Sequence, residues 1–396
     1  MQQDHALFDP LELPCGVILK NRIAKSAMSD SLGDGTGIPT AEQNRLYQRW
    51  AEGGLAVSII GEVQPSPHFA EKPGNLVLDA NSDMSKFESL AEHGSRNGAL
   101  LWLQLGHAGA LAYRPISNPK GPSELDLPDL QCEGMSLDEI QQLPLDFAKT
   151  AKLAQQAGFG GVQIHAAHGF LLSQFLSPLF NKRRDEYGGT IANRMKLLLQ
   201  SIEEVRREVG PDFPIAVKLN SSDQLVGGLD EDDALEVVAA LDGSSVDLID
   251  ISGGTYFPGA KAASDGAGRG PYFIEFAKRA RTKTSKPLML TGGFKTRAQA
   301  EDAVRSGVVD VVGLARALVL EPSLPNLWME NQMPEPSFPR FSDAPEGGIT
   351  AWYTMRLTHI AADKETDEVG DLTRAIREYE VRDAKRTEIW SRHFEG

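Results

Sequence analysis

Eight short apolar runs alternate with amphipathic stretches along most of the chain, and no other feature of the sequence limits its fold so tightly. The runs are Arg22 to Met28, Leu55 to Gly61, Ala99 to Leu105, Gly161 to His165, Ile215 to Asn220, Leu248 to Ser252, Pro287 to Thr291 and Asp310 to Leu314. Helical patterns fall between them at about Ala41 to Gly53, Ser82 to Asn97, Leu143 to Ala157, Ala192 to Val209, Asp230 to Leu241, Tyr272 to Arg281 and Thr296 to Ser306. Short apolar runs that each lead through a turn into a helix are the pattern of a parallel sheet whose strands are covered on both faces. Eight such units predict an α/β fold of the (β/α)₈ TIM-barrel type, with an open doubly wound sheet as the weaker alternative.

A barrel with insertions takes up residues 1–331 as one domain. Residues 1–20, with Pro10, Pro14 and Gly16, form a short lid over its N-terminal end. Leu111 to Met135 holds Pro115, Pro119, Pro122 and Pro128, so it is neither helix nor central strand, and reads as a wall or lid of the active site. Residues 332–396 begin as a Pro- and Ser-rich linker. They end in a charged helical pattern, Asp371 to Arg392, whose Leu372, Ile376, Tyr379 and Trp390 make an apolar stripe. That stripe packs on the barrel or on a second subunit, as in a homo-oligomer.

The charge of −15 argues against nucleic acid and anionic membrane as partners. No apolar run approaches the ~20 residues of a membrane span. The N-terminus lacks the basic cluster and hydrophobic run of a secretory signal, which points to a cytoplasmic protein. Two cysteines, Cys15 and Cys132, cannot build an iron–sulfur cluster and are expected to be reduced.

The chemistry is expected just past the fourth strand, because barrels carry their reactive groups at the C-terminal ends of the strands. His165 ends that run and His168 follows it, before a Gly169-Phe170 break and a polar turn from Asn181 to Gly189. Histidines at a strand end are often only solvated or hydrogen-bonded, and two of them also suit a metal. With no Cys near and Asp185 and Glu186 about twenty residues away, a metal site is disfavoured. A second signal lies in the last two units. Gly292 and Gly293 follow the seventh strand, and Ala315 and Arg316 follow the eighth, where barrels bind phosphate. Turn glycines and a surface ion pair are the plainer account of the same residues.

Several separated blocks together resemble the Old Yellow Enzyme family. They include Leu19-Lys20-Asn21-Arg22-Ile23, Gly53-Gly54, Gln104 to Gly109, His165 to Arg194, Ile251 to Gly254 and Gly313 to Arg316. The resemblance covers Phe8 to about Pro325. It implies a barrel that holds FMN non-covalently, is reduced by NADH or NADPH, and is reoxidised by a small electron-poor acceptor: an activated alkene, a quinone or a nitro compound. It places Ala27, Met28 and Ser29 along the flavin, Gln104 on its pyrimidine edge and Lys218 on its N1 side. Gly292, Gly293, Ala315 and Arg316 hold the phosphate, and His165 and His168 hold the acceptor oxygen.

Three positions depart from the family pattern. Phe170 stands where relatives commonly have a proton-donating tyrosine, Ser31 where some have a second active-site tyrosine, and Lys218 where an arginine is usual. Tyr113 and Tyr256 are other candidate proton donors. The missing tyrosine leaves open an FMN-binding barrel with little turnover that serves as a binding or regulatory protein. A lyase on the same barrel is a third reading.

Overall fold

In the computed structural model, which describes residues 6–127, 130–257, 270–332 and 335–394, the eight expected runs form a closed ring of parallel strands, with the short strand Leu76–Val77 paired to the second of them. They are β1 (Ile23–Met28), β2 (Val57–Gln64), β3 (Leu100–Leu105), β4 (Gly161–Ala166), β5 (Ile215–Asn220), β6 (Leu248–Ser252), β7 (Leu288–Thr291) and β8 (Val311–Leu314). Val312 of β8 lies opposite Ile23 of β1, and Ala24 of β1 opposite Val57 of β2, so the ring closes and the open doubly wound sheet is excluded.

The outer ring holds α1 (Ala41–Glu52), α2 (Met84–Gly94), α3 (Leu137–Gln156), α4 (Lys196–Val209), α5 (Glu231–Asp242), α6 (Ile274–Arg281) and α7 (Arg297–Arg305). Reciprocal capping boxes start α1 at Thr40 with Gln43, α3 at Ser136 with Glu139 and α7 at Thr296 with Gln299. α3 begins six residues before the expected Leu143, and Pro144 lies inside it. A proline there forfeits one backbone bond. Burial of Ile140, Leu143, Phe147 and Ala151 on the same helix face offsets that loss.

Inside the barrel the inward positions form two layers of opposite character. The lower layer is one apolar cluster containing Ala24, Val57, Trp102, Ala216, Leu248, Met289 and Val311. Leu13 and Leu19 plug it from below, carried by an antiparallel hairpin of Leu11–Glu12 and Ile18–Leu19. Two residues further along the strands the side chains turn polar: Ser26, Gln104, Lys218, Asp250 and Thr291. A strand alternates faces with period two, so a polar residue two places after an apolar one points into the same interior. The polar layer is therefore the floor of whatever the barrel mouth holds.

The excursion between β3 and α3 contains a small separate sheet of Lys120–Gly121, Leu125–Leu127 and Leu130–Gly134. Arg183, in the polar turn after β4, ties to it by donating to the carbonyls of Pro122 and Met135, at 2.9 and 2.7 Å. The residues after the linker form two helices, α8 (Gly348–Ala361) and α9 (Leu372–Phe394); the sequence pattern had indicated only the second. α8 lies on α1, with Arg49 paired to Glu365 just beyond α8 at 2.5 Å. α9 lies across the loops that follow β1 and β2. Trp390 packs among Ala70, Val77 and Ile116, and Arg386 donates to the Ser31 carbonyl at 2.6 Å.

Candidate active site

The polar layer is held by one network centred on a residue that the sequence reading passed over. Asp250 is fully buried and takes three donors: Thr291 Oγ1 at 2.7 Å, Gln163 Nε2 at 3.0 Å and Lys218 Nζ at 3.1 Å. Gln104 Nε2 donates in turn to Gln163 Oε1 at 2.7 Å, and Ser26 Oγ meets Thr291 Oγ1 at 2.8 Å. Lys218 is 1% exposed, which rules out a surface lysine. A buried ammonium and carboxylate in contact satisfy each other, and the amides around them are oriented as a consequence.

Above this floor, exposure returns at only some strand ends. Ala27 and Met28 at the end of β1, Ser29 just after it, Gly292 and Gly293 after β7, and Ala315 after β8 are half-buried, and Arg316 is exposed. The candidate cofactor residues of β1, β7 and β8 thus share one open rim, with Gln104 and Lys218 in the layer beneath. Gly292 and Gly293 have φ of 112° and 83°, in the region that favours glycine. A Cβ on Gly293 would lie 2.3 Å from the Gly270 carbonyl oxygen. Backbone N–H groups of such a turn can approach an anion that side chains would otherwise hold off. Arg316 opens the short helix Arg316–Leu320, its guanidinium 5.4 Å from the Tyr353 ring centre on α8. These residues would fit FMN: a glycine turn able to meet an anion on one side of the rim, with an amide and a cation in the layer beneath.

His165 and His168 are brought together in series. His165 Nδ1 lies 2.7 Å from Glu62 Oε1, its Nε2 lies 3.2 Å from His168 Nδ1, and His168 Nε2 lies 2.9 Å from Ser252 Oγ. His168 takes a left-handed φ of 60°, fixed by its N–H to Asn220 Oδ1 at 3.1 Å and by its carbonyl, which accepts from the Tyr256 N–H at 3.0 Å. Burial holds both imidazoles well below the usual histidine range. Lys218 adds to the effect at His165, and His165 and then Lys218 add to it at His168. Both rings are neutral at physiological pH.

Glu62 is the second residue that the sequence reading missed. It lies in β2 at the register shift between Ile60 and Val63, with φ of 65°, and such a bulge turns a side chain toward the barrel mouth. Burial pushes its carboxyl up to about 8, opposed by a bond from Gln64 and the charge of Lys218. The expected second strand stopped at Gly61. A carboxylate within the continuing apolar run, Gly61-Glu62-Val63, was the available signal.

Phe170 is 2% exposed, its ring 4.9 Å from His165 and 5.7 Å from Tyr256, whose ring is also 5.7 Å from His168. Tyr113 packs elsewhere, under Lys72 and beside the Trp390 cluster. His107 is a further buried imidazole. It accepts from the Gly109 N–H at Nδ1, stacks on Phe69 at 4.1 Å, and has no partner at Nε2 among the described residues. Most of the segment from Tyr256 to Arg269 lies outside the described residues, as does Pro128.

Known proteins agree with this architecture. Residues 6–334 match the model of the NADH:flavin oxidoreductase / NADH oxidase family. The chain is 33% identical over 357 residues to the NADH-dependent flavin oxidoreductase iliE of Hypocrea jecorina, covering 81% of this chain and 88% of that one. Its fold superposes on the Old Yellow Enzyme homologue of Zymomonas mobilis with a TM-score of 0.73 at 24% identity, over 88% of this chain and 98% of the other. A 2-naphthoyl-CoA reductase complexed with 2-naphthoyl-CoA gives a TM-score of 0.77 at 24% identity, with 84% of this chain covering 53% of that longer protein. With a closed eightfold barrel and a family match that spans it, the chain belongs to the NADH:flavin oxidoreductase / NADH oxidase family, the Old Yellow Enzyme type of flavin-dependent oxidoreductase.

Proposed function

We propose that the protein binds FMN at the rim of β1, β7 and β8, takes electrons from a nicotinamide, NADH or NADPH, and passes hydride to a small electron-poor acceptor whose oxygen is held by the His165–His168 pair. The observation that carries this reading is the placing of two histidines, hydrogen-bonded to each other, directly beside a polar floor that suits a flavin. Bound flavin supplies two-electron hydride chemistry. The chain's own residues do the rest. Gln104 and Lys218 meet the pyrimidine edge and N1 side, the turn at Gly292 and Gly293 with Ala315 and Arg316 holds the phosphate, and Ala27, Met28 and Ser29 line the ring. An imidazole N–H aimed at the acceptor oxygen draws charge away from the carbon that receives hydride.

The acceptor class follows from what surrounds the histidines. Phe170 brings a ring without a proton to the position beside His165, so acceptors that need no acid at carbon are favoured: quinones and nitro compounds above simple enones. A flavin-binding protein without turnover stays as the second reading, since Phe170 suits it as well.

Two measurements test this. Phenolic ligands added to the yellow holoprotein should produce a long-wavelength charge-transfer band, and His168→Ala should remove that band while FMN stays bound. A band of wild-type strength in the variant would take the acceptor away from His168. Arg316→Ala should weaken FMN binding roughly ten- to a hundred-fold, because a charge-assisted phosphate contact is lost. Equilibrium dialysis that finds wild-type affinity would remove Arg316 from the phosphate site.

A further inference from the structure

Glu62, His165, His168 and Ser252 form one hydrogen-bonded line that starts on β2, passes through β4 and the loop after it, and ends on β6. Proton counting gives it a direction. A neutral imidazole has one N–H and one bare nitrogen, so each ring passes the bond polarity on. With Glu62 protonated, it donates to His165 Nδ1, His165 Nε2–H donates to His168 Nδ1, and His168 Nε2–H donates to Ser252 Oγ. With Glu62 ionised, every bond reverses. The inner members are closed off, Glu62 at 4% and His165 at 3% exposure, while His168 is half-buried and forms the open end.

We propose that Glu62 is the acid that completes reduction of the acceptor, its proton reaching the acceptor oxygen through His165 and His168. This rests on the reading of the histidine pair as the acceptor site. The acceptor oxygen takes the place of Ser252 Oγ as partner of His168 Nε2. Hydride arrives at one end of the conjugated acceptor, and the displaced π electrons move to the oxygen at the other end. That oxygen bonds the proton of His168 Nε2, His168 Nδ1 takes the proton of His165 Nε2, and His165 Nδ1 takes that of Glu62. Two electrons and one hydrogen come from the reduced flavin, which is left oxidised and is reduced again by nicotinamide. The second hydrogen is the Glu62 proton.

Each histidine begins and ends neutral with its tautomer exchanged. That matters here, because a histidine acting alone would have to start as an imidazolium, in a buried site beside Lys218, to give a proton and end neutral. The groups facing Glu62 suit the task. Gln64 Nε2 lies 3.4 Å from Glu62 Oε2 on the same strand, and that oxygen sits against Gly106 after β3, where a Cβ would come within 2.4 Å of it. Lys218 on β5 favours the carboxylate once its proton has left. Glu71, half-buried on the segment after β2, is itself pushed up to about 7 by burial and by Glu62. Tyr256 and its phenol lie on the outer side of His168. The line delivers to oxygen, so it serves acceptors whose product carries hydrogen on oxygen, quinones above all.

The test uses the FMN-loaded protein in stopped flow. Glu62→Gln should slow reoxidation by 2-methyl-1,4-naphthoquinone by roughly 10² to 10⁴-fold, the range of general-acid assistance. Ferricyanide, which takes electrons without a proton, should reoxidise both proteins alike, and a merely structural role for Glu62 would not separate the two oxidants. Quinone reoxidation in the wild type should fall as pH rises through about 8, and Glu62→Gln should lose that limb. Glu62→Asp, an acid one methylene further from His165, should be slower than wild type yet keep the limb. Full quinone activity with its alkaline limb in Glu62→Gln would overturn the relay, and so would a loss carried by Tyr256→Phe instead. The acceptor site itself fails separately, if His168→Ala keeps its phenol band.

Discussion

Lys218→Met is expected to destabilise the fold by about 3–5 kcal/mol, the usual result of breaking a buried ion pair from one side. Both partners lie inside the barrel, Lys218 at 1% and Asp250 at 0% exposure, with Nζ and Oδ2 3.1 Å apart. Among the described residues the variant leaves the Asp250 carboxylate two neutral donors, Gln163 and Thr291. Two neutral hydrogen bonds do not replace a charge in a medium that water cannot reach. Adding Asp250→Asn to the variant removes the stranded charge and should recover most of the loss, which distinguishes this cause from lost packing. Thermal unfolding of the single and double variants checks it. If Lys218→Met unfolds with the wild type, the pair is not coupled. The same substitution should lower the potential of bound flavin, because a cation beside N1 favours the electron-rich reduced form. An unchanged potential with lowered stability would confine Lys218 to holding Asp250.

Phe170→Tyr should accelerate reduction of cyclohexenone by roughly 10² to 10⁴-fold and scarcely alter flavin reduction by NADH. Phe170 is buried against His165 and Tyr256 and has no proton to give. A proton delivered to the enone oxygen yields the enol, whose α-carbon must then be protonated by solvent. A phenol at position 170 offers a proton to carbon within the site. In deuterated water the wild type should label the α-carbon without facial preference, and the variant should label one face. The Phe170 ring packs in a close cluster with Ala108, Ala112 and Leu111, so a modest loss of stability is expected alongside the gain in rate. Rapid cyclohexenone reduction by the wild type, unchanged in Phe170→Tyr, would mean that an effective acid for carbon already lies elsewhere.

What the sequence determined by itself is the barrel and the positions of its strand ends. Eight apolar runs spaced by helical patterns admit few architectures, and β4 through β8 lie within one residue of where the runs placed them. The candidate rim followed as well, since Gly292, Gly293, Ala315 and Arg316 are set by which strand they follow. α8 was hidden, because Gly348–Ala361 contacts both α1 and α9 and shows no single apolar face to read against a polar one. The polar floor was half legible: Gln104 and Lys218 stood out, while Asp250 looked like an ordinary acid in a short strand.

Only the pairing of the strands decided the rest. It sets Asp250 of β6 directly opposite Lys218 of β5, and the curl of the sheet carries Glu62 to His165, 103 residues away. A linear pattern records which face a side chain occupies, but a hydrogen bond across a barrel depends on register, on the bulge in β2 and on the left-handed turn at His168. Those are properties of the assembled sheet, so the two most consequential carboxyl groups of the site became visible only when its strands met.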